Sequence, residues 1–124
     1  MRRDIELVKS ILEYFEAKTD FHHEEHIVID GYSSNLIKYH LQIMYEAGFI
    51  NAEPIQSQKG RLYSLLPFRL TWQGHEFLDT IRSKKTWSRI KSIVQSKGLD
   101  LSFEVIKKLA DKLTEDDLTK GLFS

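Results

Sequence analysis

Cysteine is absent from this sequence. That excludes a disulfide framework, a thiolate metal site and a cysteine nucleophile, and it points to an intracellular protein. An excess of charge of either sign is missing too. The 18 basic and 18 acidic residues cancel, so no global field draws the chain towards nucleic acid or anionic lipid, and any such attraction has to be local. No run of ~18 apolar residues is available to span a bilayer. The charged start Met1-Arg2-Arg3-Asp4 is not followed by the long uncharged segment of a signal peptide, so no membrane partner and a cytoplasmic address are expected. Catalytic signatures are scarce. There is no glycine-rich phosphate loop, no Gly-x-Ser-x-Gly elbow and no spaced pair of catalytic carboxylates, and Gly31-Tyr32-Ser33-Ser34 fits a turn and helix cap better than a nucleophile. The expectation is a protein that is not an enzyme and carries no cofactor.

What is present is amphipathic periodicity, in a chain of 124 residues, long enough for one domain with a real core. Behind Asp4, a cap, Ile5, Val8, Ile11, Leu12 and Phe15 recur at helical spacing. Ala17 to Glu25 is polar, and the β-branched run Ile27-Val28-Ile29, closed by Asp30-Gly31, reads as a brief strand. A helix from Ser33 or Ser34 to Ala47 turns Leu36, Ile37, His40, Leu41, Met44 and Ala47 inward. Gly48 takes the left-handed position after it, and Phe49-Ile50 restarts the chain as a strand. Asn51 to Arg69 has the length of a hairpin, bracketed by Pro54 and Pro67, with a polar, weakly basic tip from Gln56 to Arg61. Thr71 caps a helix carrying Trp72, Phe77, Leu78 and Ile81, and Gly74 in its first turn lets another group pack close. Two further helices follow, one around Trp87, Ile90, Ile93 and Val94 and one behind the cap Ser102 around Ile106, Leu109, Ala110 and Leu113; the tail beyond Thr114 is expected to fray. The aromatics Phe15, Phe49, Trp72, Phe77, Trp87 and Phe103 are assigned to the core.

Helix, glycine stop, strand, hairpin return and threonine-capped helix follow one another in the order of a winged helix. The expected fold class is α+β, mainly α: a winged-helix-like domain with a two-stranded wing over residues 1–82, and a C-terminal helical extension over 83–124 packed on the same core. Arg2-Arg3-Asp4-Ile5, Tyr39-His40-Leu41 with Tyr45-Glu46-Ala47-Gly48, and Leu70-Thr71-Trp72-Gln73-Gly74-His75-Glu76-Phe77-Leu78-Asp79 with Ile81-Arg82 and Trp87 closely resemble a family of small uncharacterised proteins of bacteria, phages and prophages. The resemblance covers nearly the whole chain. It implies a winged-helix domain in a phage or mobile-element setting and supplies neither an activity nor a functional residue. The Glu-Ala-Gly turn into a strand and the Leu-Thr-x-x-Gly helix start also look like winged-helix regulators of transcription. Those regulators carry a second helix before the recognition helix, where this chain has loop and strand from Phe21 to Asp30.

A helix entering the major groove needs polar side chains for base edges and Lys, Arg or hydroxyl groups for phosphates. The outward face of the 34–47 helix offers Ser34, Asn35, Lys38, Tyr39 and Gln42, and Asn35 and Gln42 can each pair bidentately with adenine. The competing reading is an ordinary solvated helix face, with Asp30 and Glu46 nearby to repel phosphate. Lys59 and Arg61 at the wing tip suit a backbone or minor-groove contact, or simply keep an edge hairpin soluble. From Arg82 to Lys97 six positive charges occur with no negative one, and Lys85 and Arg89 share a side of their helix; this is either a phosphate-contacting surface or a solvated basic helix. His22-His23-Glu24-Glu25-His26 lacks the register of a His-Glu-x-x-His zinc helix, so no metal is expected, and His40 reads as a hydrogen-bonded core histidine.

Two functions from different classes remain. The first is a winged-helix DNA-binding protein, a small transcriptional regulator of phage, prophage or mobile-element origin, with Ser34, Asn35, Lys38, Tyr39 and Gln42 in the groove of double-stranded DNA and Lys59, Arg61, Lys85 and Arg89 on phosphates. The second is a protein-interaction module that docks on a phage or host partner, or forms a homodimer through its C-terminal helices.

Overall fold

The computed structural model describes residues 1–56, 62–97 and 102–123. The protein is mixed α+β and mainly helical, with one antiparallel hairpin set between helices: α1 (Ile5–Ala17), α2 (Ser34–Glu46), β1 (Ile50–Gln56), β2 (Leu62–Leu70), α3 (Trp72–Ile81), α4 (Lys84–Lys97) and α5 (Phe103–Phe123). Two compact units divide the chain, Met1–His75 and Glu76–Ser124, with the boundary inside α3.

In the first unit α1 begins where the sequence provides a cap. The Asp4 carboxylate accepts from the backbone N–H groups of Glu6 and Leu7 at 3.0 and 3.3 Å, offsetting two of the donors that a helix start leaves open. Its apolar stripe, Ile5, Leu7, Val8, Ile11, Leu12 and Phe15, is buried and packs against α2 and β2. Each of these side chains contributes on the order of 1.5–3 kcal/mol on leaving water, so the stripe outweighs the cap. Ser33 caps α2 by accepting from Leu36 N–H at 3.2 Å, and α2 buries Ile37, His40, Leu41 and Met44. Gly48 ends it with φ +81, a left-handed turn that lets Phe49 N–H reach the carbonyl of Met44 at 2.9 Å.

β1 and β2 pair from Ile50↔Leu70 outward, with irregularities between Asn51 and Ala52 and between Ile55 and Gln56. Ile50, Pro67 and Leu70 are buried at the root of this ribbon, while β1 is exposed from Glu53 to Gln56. Thr71 then turns the chain: its hydroxyl donates to Gly48 O at 2.5 Å and accepts from Gly74 N–H at 3.0 Å. Phe49 O lies so close to Gly74 that a Cβ there would sit 2.1 Å from it, which is why the first turn of α3 needs glycine.

In the second unit Ser83 and Ser102 cap α4 and α5, and the two helices pack on each other. Trp87, Ile90 and Val94 are buried on α4 and Ile106, Ala110 and Leu113 on α5; the rings of Phe77 and Phe103 meet edge-to-face at 5.5 Å.

Three sequence expectations are corrected. Ile27-Val28-Ile29 is not a strand; the segment lies outside the ladder, with Ile27 buried and Val28 82% exposed. Just before it, Glu24 N–H donates to Pro67 O at 2.8 Å, and Pro67 has no N–H to return a bond to this segment. Trp72 is not in the core but 77% exposed, because stepping from Gly74, Phe77, Leu78 and Ile81 leaves position 72 on the opposite side of α3. Beyond Thr114, where fraying is expected, the backbone of α5 continues as helix to Phe123.

Candidate functional site

Ser34, Asn35, Lys38 and Gln42 are exposed on α2, while Ile37, His40, Leu41 and Met44 are buried. Tyr39 is half-buried, and its ring meets that of His40 edge-to-face at 5.7 Å. Ser34, Ile37, Lys38, Leu41 and Gln42 line a groove of about 450 Å³. Glu24 to Val28 of the connecting segment and Ser64 and Leu65 of β2 line it as well. The structure therefore brings together Ser34, Lys38 and Gln42, while Asn35 and Tyr39 do not line this groove. Chemically these α2 residues supply a hydroxyl, an ammonium and an amide, all hydrogen-bond donors.

The part lined by the connecting segment was not anticipated from sequence. It is fixed by Lys18, whose side chain is only 9% exposed and whose ammonium lies 2.9 Å from Glu24 and 3.3 Å from Asp20 and donates to His22 O. Burial works against the charged ammonium, but hydrogen bonds and charges from Glu24 and Asp20 outweigh it and hold the Lys18 pKa above the ordinary lysine value. The His22 N–H bond and then the Lys18 ammonium hold Asp20 below the usual aspartate value. Burial, followed by the charge and hydrogen bond of Glu24, raises the Tyr14 phenol. At the base of the wing, His23 Nε2 lies 3.1 Å from Glu53 of β1, with its ring on Phe68 at 4.8 Å. The signal for this latch was a lone lysine followed by Asp20 and Glu24 in a segment that had no apolar stripe of its own.

His22, His23, Glu24, Glu25 and His26 occur in this connecting segment, not on a helix, and among the described residues no cluster of three His, Asp or Glu side chains is arranged to hold a metal ion. His40 is fully buried, hydrogen-bonded at both ring nitrogens. Of the basic run, Arg82 is 2.7 Å from Asp79, and Lys91 lies over the Trp87 ring at 5.8 Å. Lys84, Lys85, Arg89 and Lys97 are exposed on α4. Lys59 and Arg61 lie outside the described residues.

Fold and site together define a small, mainly helical α+β protein with a two-stranded ribbon beside a polar helix face. The chain belongs to the family described as "Hypothetical protein (DUF2513)", which matches residues 2–100. It is also similar to an uncharacterized protein of Haemophilus influenzae, at 35% identity over 116 residues that cover 91% of this chain and 95% of the relative. No solved structure matches it. No described helix is long and apolar enough to cross a membrane.

Proposed function

We propose that the protein is a winged-helix DNA-binding protein, a small transcriptional regulator, with α2 as the helix that enters the major groove and the β1–β2 ribbon as the wing. The observation that carries this reading is the α2 face itself: Ser34, Asn35, Lys38 and Gln42 are all exposed on a helix that leads through Gly48 directly into the ribbon. Asn35 and Gln42 suit adenine, Lys38 suits guanine or phosphate, and Ser34 suits phosphate. The family resemblance adds a phage, prophage or mobile-element setting. Titration of labelled mixed-sequence duplex by fluorescence anisotropy at two salt concentrations, with the protein's mass from light scattering, tests it. Binding at low salt that weakens at higher salt is expected, and a dimer would direct the search to palindromic sites. No binding at low salt overturns the reading.

A specific observation favours a second one. Glu24, Glu25 and the exposed Val28 line the same groove as Lys38 and Gln42, and carboxylates beside an exposed apolar side chain suit a protein surface better than a phosphate backbone. On that reading the chain is a protein-interaction module for a phage or host partner, or a homodimer formed through its C-terminal helices. A stable complex insensitive to charge changes on α2 and α4 would support it.

A further inference from the structure

We propose that α4 is a backbone-gripping face for nucleic acid, supplying affinity that does not depend on base sequence. The proposal rests on the duplex-binding reading above and deepens it. Across its 14 residues, Lys84 to Lys97, α4 holds no carboxylate. Its apolar side chains Trp87, Ile90 and Val94 are buried, and Lys84, Lys85, Ser88, Arg89, Ser92 and Ser96 are exposed on the other side. Lys85 and Arg89 are four residues apart, one helical turn, with a rise of about 6 Å between them. Ser88, Ser92 and Ser96 repeat at the same interval. The Ser96 hydroxyl donates to Ile93 O at 3.2 Å within the helix, and exposed hydroxyls interleaved with cations, as at Ser88 and Ser92, are a common means of holding phosphate oxygens.

The same face argues against an anionic membrane as the partner. A helix that lies in a bilayer surface exposes an apolar side for burial among the lipids. The apolar side of α4 is already buried within the protein, and its outward residues are cations, serines and Gln95. A polyanion met from outside, at the level of its phosphates, fits this surface.

The test uses the full chain in anisotropy titrations on a mixed-sequence duplex across a salt series. Wild type is compared with Lys85→Gln/Arg89→Gln and with Asn35→Ala/Gln42→Ala, each checked for an unchanged thermal midpoint. Loss of two phosphate contacts makes the slope of log affinity against log salt shallower by about 1.8, so the affinity lost between about 50 and 200 mM salt shrinks about twelvefold. The α2 variant keeps the wild-type slope. If the α4 variant keeps it as well, α4 is a solvated face and the proposal fails while duplex binding stands. Absence of wild-type binding to any duplex overturns both. So does binding to phosphatidylserine vesicles in preference to duplex.

Discussion

The backbone N–H of Asp4 donates to Nε2 of His40 at 2.8 Å. Because that nitrogen accepts, the ring proton sits on Nδ1, which donates to Leu36 O at 2.9 Å. Asp4 thus caps α1 with its carboxylate while its own N–H is satisfied by α2. A fully buried histidine is the join between the two helices. This fixes the inward side of α2 and, by helical geometry, the side left for Lys38 and Gln42.

Replacing His40 with leucine keeps much of the volume and orphans the Asp4 N–H. The expected loss is about 1–3 kcal/mol in urea unfolding, the cost of a buried donor without a partner. A variant as stable as wild type would contradict the assignment of His40 as a join.

Gly74→Ala places a methyl against the Phe49 carbonyl, which also accepts from Thr71 N–H at 3.0 Å. The obstacle is backbone and cannot rotate away, so destabilisation of about 1–3 kcal/mol is expected from overpacking. Hydrogen exchange should quicken at the Thr71 amide first.

Trp72 and Trp87 differ in burial, and their alanine variants should differ accordingly. Trp87→Ala empties a buried site and should cost about 3–5 kcal/mol, whereas Trp72→Ala, at 77% exposure, should fall within about 0.5 kcal/mol of wild type. Chemical denaturation of both variants checks this ordering.

Stability should fall at alkaline pH. Lys18 is raised from 10.5, and Tyr14 and Tyr32 from 10.0, Tyr32 by burial and then by Asp4; the native state holds these protons more tightly than the unfolded chain. Their contribution is complete below pH ~10 and is lost as pH rises through the raised values. Asp20, lowered from 3.8, adds the opposite limb: its contribution is present above that value and lost as pH falls. Urea midpoints recorded from pH 7 to 11 should show the alkaline fall, and Lys18→Gln should make it shallower.

Much of the fold was legible because caps, stops and stripes agreed. Asp4, Ser33, Thr71 and Ser102 each cap the helix that follows, and Gly48 turns left-handed where α2 gives way to β1. Exposure of Asn35, Lys38 and Gln42 was legible for the same reason, since 100° stepping sets them apart from Ile37, Leu41 and Met44, whereas Ser34 is exposed as the first residue of α2. Ile27-Val28-Ile29 misled because strand propensity says only that a residue suits a pleated surface, and Pro67 has no N–H to return a bond to this segment. Trp72 was misplaced by treating a large aromatic as core without stepping α3 from Gly74. The groove depended on Lys18, Asp20 and Glu24 closing a loop on each other, a tertiary arrangement with no periodicity to announce it.

The central claim, that the outward face of α2 reads base pairs, is tested most directly by repeated selection of a randomised duplex pool on the full chain. The pool recovered with wild type should bind more tightly than the starting pool, and Asn35→Ala/Gln42→Ala should bind the two pools equally. A pool that never enriches, or a double variant that keeps the full preference, would contradict the claim.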